Sequence, residues 1–296
     1  MSGEQADPTT NRRRLLRATG GALTLPLVGS VRADTDDHED HDHEDGGRGF
    51  GRCPDATLEP SMIHCPDASM EGCADDHPET QRLQAAAQET LETQYPTVGA
   101  LLDQDFLPYF DVLRSSEEGY SHWLSPEFID DEGTLDPERP ESVLVDNEWW
   151  QPIGVMFIAT EFGEPVDVPP AVYGEGEPDP ERCSPWHAHV GLPGRVAWWY
   201  YRQVYEGDFR RGDVLLPCET PCMMHVWTVS HPDGIYAHDP PPSEDRREPA
   251  DPGFETDAEP GEDPLEWDHL PDDVVPDRSP EEYLRRFEDD DGWVRS

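Results

Sequence analysis

The run Trp186-His187-Ala188-His189-Val190 sets two imidazoles two residues apart. On an extended chain alternate side chains share a face, so His187 and His189 would point the same way, about 7 Å apart along the strand. Such a pair suits two cis ligands of one metal ion. It also fits two histidines that are partly exposed or hydrogen-bonded beside a tryptophan. A second run, Met223-Met224-His225-Val226-Trp227-Thr228-Val229, reads as an apolar strand. It puts His225, Trp227 and Val229 on one face and Met224, Val226 and Thr228 on the other. A buried imidazole in such a strand needs partners for both ring nitrogens. A backbone carbonyl can answer for one nitrogen and a metal ion for the other. His187, His189 and His225 would together make a three-imidazole face with one open coordination position.

Copper and zinc are the ions expected at this trio, with iron a further candidate, because imidazole suits all three and Met223 or Met224 offers Cu(I) a soft thioether. Other residues could join as ligands or as supports behind them. His122 lies in Gly119-Tyr120-Ser121-His122-Trp123, and His231 and His238 flank the turn Pro232-Asp233-Gly234. Glu161, just past the apolar run that ends at Ala159, is the carboxylate best placed by sequence to be a fourth ligand or a proton acceptor. The acidic histidine run from Asp37 to Glu44 could collect ions by avidity, and reads otherwise as a solvated spacer. Without a general base beside the trio, the pattern favours metal binding, with a metal-dependent hydrolase or oxidoreductase as the alternative. A metal-free, disulfide-stabilised envelope protein is the third reading. No phosphate-binding glycine loop, catalytic serine order or dinucleotide fingerprint is present.

The elements that must position these residues read as follows. His77-Pro78 opens a helix in which Leu83, Ala87 and Leu91 recur at four-residue spacing, ending at Tyr95-Pro96. Leu101, Leu102 and Phe106 suggest a second helix, broken near Pro108. Beyond Tyr120 the texture becomes short β-rich runs at residues 142–145, 153–159, 196–204, 214–216 and 223–229, separated by Gly and Pro clusters. Helices followed by strands predict a single α+β domain over 77–239 with a mainly antiparallel sheet. Residues 34–52 are polar and acidic enough to be disordered, and 53–76 form a cysteine-containing, loop-rich lead. Residues 240–276 are acidic and rich in proline, a disordered or loosely wrapped tail, before a short helix near 280–288 opened by Ser279-Pro280-Glu281-Glu282.

The formal charge is −45, from 66 acidic residues against 21 basic ones, all of them arginine. Such self-repulsion is tolerable where concentrated salt shrinks the Debye length to roughly 3 Å. The composition is that of a salt-adapted surface, and it excludes nucleic acid and anionic membranes as partners. The expected ligand is a metal ion or a small molecule. Asn11-Arg12-Arg13-Arg14-Leu15-Leu16, an apolar stretch to Val31 and the small-x-small site Val31-Arg32-Ala33 form a twin-arginine signal over residues 1–33. The apolar stretch is shorter than the about 20 residues that span a bilayer. The mature chain is therefore expected outside the cytoplasmic membrane, extracellular or in the envelope, with no integral membrane segment. Six cysteines (Cys53, Cys65, Cys73, Cys183, Cys218 and Cys222) in an oxidising compartment read first as disulfides, in any of 15 connectivities.

Several motifs between residues 119 and 240 resemble a signature of uncharacterised exported bacterial and archaeal proteins. They are Gly119-Tyr120 with His122-Trp123, the stretch from Gly133-Thr134-Leu135-Asp136-Pro137 to Val145, Pro185-Trp186-His187-Ala188-His189, Met224-His225-Val226-Trp227 and Pro232-Asp233-Gly234. This resemblance implies a domain boundary and an exported location, and no activity. The two-histidine motif, Gly212-Asp213, Pro217 and the later His225 look superficially like a cupin, which implies a metal site on a β-barrel. Here, however, no Glu follows His189 at that family's offset, and the interval from Pro217 to His225 is long.

Overall fold

The computed structural model describes residues 62–110, 119–174, 181–191, 194, 196–197, 219–242 and 248–275. The signal segment, the histidine-rich lead, the run 214–216, Cys53, Cys218 and the expected helix at 280–288 lie outside the described residues.

Helix α1 (Pro78–Gln94) begins as its sequence dictates. His77 Nδ1 accepts from the Glu79 amide at 3.2 Å, and Pro78 fills the first turn, where no amide is needed. Its buried face carries Ala87 and Leu91, and it stops at Tyr95, which Pro96 bars from helical geometry. Helix α2 (Val98–Asp103) is capped by Thr97, whose Oγ1 accepts from the Ala100 amide at 3.1 Å. The expected continuation to Phe106 instead turns into strand β2 (Leu107–Tyr109). Strand β1 (Met62–His64) comes ahead of both helices in the chain.

The remaining strands are β3 (Tyr120–Leu124), β4 (Ser142–Asp146), β5 (Gln151–Ile158), β6 (Thr160–Glu161), β7 (Glu164–Pro165), β8 (His187–His189) and β9 (Met223–Trp227), with a short helix α3 (Pro126–Ile129) after β3. Seven of them form one antiparallel sheet in the order β1-β8-β9-β5-β4-β3-β2, and β6 and β7 pair as a separate ribbon. The fold is thus a few helices with a mainly antiparallel sheet. Of the strand expected over 196–204 only Val196 and Ala197 are among the described residues, and both are helical. A short apolar run does not by itself separate a buried helix from a strand.

Alternation along the strands gives the sheet two apolar faces. Val143, Val145, Val155, Phe157, Trp186, Ala188, Met224 and Val226 share one core with Ala87 and Leu91 of α1. Tyr120, Leu144, Met156, Ile158, Met223 and Trp227 lie in a second core with Ala237. Two disulfides tie the edge to the body, Cys65–Cys222 and Cys73–Cys183. Residues 248–275 run along the β4–β5 connection, where Leu265 and Gly261 amides donate to the Asn147 and Glu148 carbonyls, each at 2.7 Å. No helix among the described residues is long and apolar enough to cross a membrane.

Candidate metal centre

The second face of the sheet is where the histidines gather. His187 and His189 point from β8 onto the same face as His225 and Trp227 of β9, since His187 pairs directly with Met223. On the far side, His122 of β3 comes within 5.7 Å of His225, ring centre to ring centre. Two strands, β4 and β5, separate β3 from β9. At about 4.8 Å per strand, those rings come together because both side chains lean inward across β4 and β5. Gly154 of β5 lies between them and leaves room for Trp227: a Cβ there would lie 3.0 Å from the Trp227 ring and 2.9 Å from the Val226 carbonyl oxygen.

The chain beyond β9 doubles back over this face. Gly234 takes φ 97° in the Pro232-Asp233-Gly234 turn, a conformation natural to glycine. The Trp227 amide donates to the Ile235 carbonyl at 3.0 Å, and Trp227 Nε1 donates to the Ala237 carbonyl at 2.8 Å. The returning segment therefore delivers His238 to the imidazoles on β8 and β9. His238 contributes twice. Its backbone carbonyl accepts from His225 Nδ1 at 3.0 Å, and its ring Nε2 lies 3.4 Å from His189 Nε2. Its own Nδ1 faces Asp239 Oδ1 at 3.2 Å.

His187, His189 and His238 each offer a ring nitrogen, and all of these lie within 4.8 Å of one another. They are close enough to hold one metal ion. Two nitrogens about 2.0–2.1 Å from a tetrahedral ion stand about 3.3–3.4 Å apart, which is the separation already seen between His189 and His238. Ring centres of His187 lie 4.9 Å from His238, 5.7 Å from His189 and 5.4 Å from His225.

The protonation pattern fits ligation. His225 is 1% exposed and His187 5%. A carbonyl can only accept, so His225 carries its proton on Nδ1, and its Nε2 presents a bare lone pair. The His187 ring is likewise bonded to the Pro185 backbone. The Nε2 atoms of both residues are buried with no hydrogen-bond partner among the described residues. Desolvation first, and then neighbouring imidazoles (His238 foremost at His187, His187 at His225), hold both well below the usual histidine range. His122 is pushed down to about 4, again chiefly by desolvation and then by His238.

The other expected residues divide clearly. His122 joins the cluster beside His225, with its ring 5.1 Å from Tyr120. Glu161 is exposed on the β6–β7 ribbon, paired with Glu164. Met224 is fully buried in the core on the opposite face, among the residues facing α1. His231 stacks on Trp227 at 6.1 Å, and its Nδ1 accepts from the Asp233 amide. His64, not singled out by sequence, sits directly across from His187 on β1. Two disulfides bracket the ligand strand: Cys183 precedes it by four residues, and Cys222 precedes the residue paired with His187.

No protein-family model matches this chain, and no curated protein or solved structure matches it.

Proposed function

We propose that this is an exported metal-binding protein that holds one transition-metal ion, copper or zinc, among His187, His189, His238 and His225. The observation that carries this reading is the pair of buried, unpartnered Nε2 atoms on His187 and His225 beside two further imidazole nitrogens only 3.4 Å apart. Leaving a buried acceptor unmet costs about 1–3 kcal/mol. One ion at the centre of the cluster removes that cost for both atoms at once. Asp239 behind His238 and the carbonyl behind His225 supply the outer partners that orient ligating imidazoles.

A fourth protein donor beside the trio, His225 or a neighbouring side chain, closes the coordination sphere, which favours holding an ion over using it as a Lewis acid. Export by the twin-arginine route belongs to the same proposal. It is supported by Arg12-Arg13-Arg14 with the site at Ala33 and by the two disulfides, which persist in oxidising compartments.

Elemental analysis of protein purified from the exported fraction tests this reading. About one equivalent of copper or zinc is expected, lost in His238→Ala and in His225→Ala and retained when residues 38–43 are deleted. Metal-free native protein that also takes up neither ion in titration would overturn it. Replacing Arg12, Arg13 and Arg14 by Lys should trap precursor inside the cell.

A further inference from the structure

Each of the three cluster histidines on β8 and β9 has a methionine as a direct cross-strand partner. His189 pairs with Met62, His187 with Met223, and His225 with Met156. Direct partners in an antiparallel pair project from the same face with Cβ atoms about 4.5–5.5 Å apart. Three of the six methionines in the chain are thereby set against the three strand imidazoles. The other two within the described residues are elsewhere, Met70 exposed and Met224 in the opposite core. Met223 is the most central. It faces His187 across the β8–β9 pair and precedes His225 by two residues on the same face of β9. Met223 and Met156 are buried, at 8% and 3% exposure.

Packing alone does not account for this choice. Strand positions on a buried face favour β-branched and aromatic side chains, and the same sheet uses Val and Ile freely elsewhere. Methionine is the flexible, polarisable alternative, and its thioether is a soft ligand. The four cysteines among the described residues are consumed in disulfides. Among the described residues, the thioethers are therefore the soft donors this face retains.

Soft thioether and imidazole donors together select Cu(I), whereas zinc takes imidazole, thiolate and carboxylate and has no use for a thioether. We propose that the ion is copper in its Cu(I) state, that Met223 Sδ is a ligand beside the imidazoles, and that Met156 and Met62 line the same pocket as further sulfur donors. The proposal rests on the metal-binding reading above and adds the identity of the ion and the sulfur that recognises it.

The test uses the mature chain with its disulfides intact. Cu(I) is titrated anaerobically against a chromophoric Cu(I) chelator, and Zn(II) separately, for the native protein, Met223→Leu and the triple variant Met62→Leu, Met156→Leu, Met223→Leu. Leucine conserves volume and keeps the core filled, and the Zn(II) titration reports whether each variant still folds its imidazole cluster. The expected result is Cu(I) affinity reduced by about tenfold or more in Met223→Leu, the scale on which loss of a supporting partner acts, with a further fall in the triple variant and Zn(II) affinity unchanged. X-ray absorption at the copper edge should show sulfur in the native shell and lose it in the triple variant. Equal Cu(I) affinity in all three proteins, or a native shell of nitrogen alone, overturns the proposal. Tight Zn(II) binding without Cu(I) binding overturns it too while leaving the imidazole site standing. Failure to bind either ion brings down the underlying metal reading as well.

Discussion

His225 donates its Nδ1 proton to the backbone carbonyl of His238 at 3.0 Å, so one residue of the returning segment orients a neighbouring imidazole with its main chain while offering its own ring to the same cluster. The two roles separate by mutation. An alanine at position 238 removes the ring and keeps the carbonyl, so His225 stays oriented when the trio loses a member. The bond also fixes the tautomer: Nε2 of His225 is left as a lone pair inside the fold. The trio beside it is close enough to hold one ion.

That arrangement has a pH signature in the metal-free protein. His187 and His225 are held well below 6.5 in the fold, while in the unfolded chain they titrate near about 6.5. Below that value the unfolded state binds protons that the folded state refuses, so the folded-state advantage is present above about 6.5 and is lost as pH falls. Thermal melts of metal-free protein at constant high salt should therefore drop steadily from pH 7.5 toward 5. His225→Gln, which cannot be protonated, should flatten that slope. A slope unchanged by the substitution would show that His225 is not among the groups responsible.

The sequence exposed the strands of the site and concealed its closure. Period-two alternation in Met223–Trp227 and the two-residue spacing of His187 and His189 were enough to place those side chains on a strand face. His238 carried no periodic pattern, because residues 228–238 are held by single bonds to Trp227 and Asp75 rather than by a ladder. The Pro232-Asp233-Gly234 turn was the one local signal that the chain returns, and it implies a reversal without saying how far the returning segment runs. The partnership of β1 with β8 was illegible for a different reason: three residues make no pattern, and what supports the edge is covalent. The meeting of His122 with His225 spans β4 and β5, a pairing order that no window of sequence encodes.

The cystines should matter to the site as well as to the fold. Strand β1 is an edge strand of three residues that pairs only with β8, and Cys65 follows it directly. The two disulfides close sequence separations of 157 and 110 residues, and loops of that order are worth about 4–5 kcal/mol each in the chain-entropy account. Releasing them should loosen β1 and β8 first, moving His187 and His189 away from His225 and His238. Coupling energies of this kind amount to about five- to 150-fold in affinity. Zn(II) titration of native protein against Cys65→Ser, Cys222→Ser protein should show a loss within that range. Matching affinities would mean that β8 keeps its place without the Cys65–Cys222 bond.

A buried carboxyl group away from the site gives the fold a second pH dependence. Glu141 is fully buried, its Oε2 accepting from the Ile158 amide at 3.1 Å and its Oε1 having no partner among the described residues. Desolvation outweighs that amide and pushes its pKa up from 4.5 to about 8, with Asp131 and Asp136 adding to the rise. Folded and unfolded states bind the proton equally below about 4.5, so nothing is lost there. Between that pH and about 8 the unfolded chain gives up the proton while the folded protein keeps it, and stability falls as pH rises. Each unit of difference is worth about 1.4 kcal/mol, so the accumulated loss is on the order of 4 kcal/mol by the time the folded group ionises. Glu141→Gln keeps an acceptor for the Ile158 amide and removes the ionisation. Chemical denaturation of the two proteins should then give similar stabilities near pH 5 and a variant more stable by a few kcal/mol at pH 9. Parallel pH profiles would show that Glu141 meets solvent or a cation before it ionises.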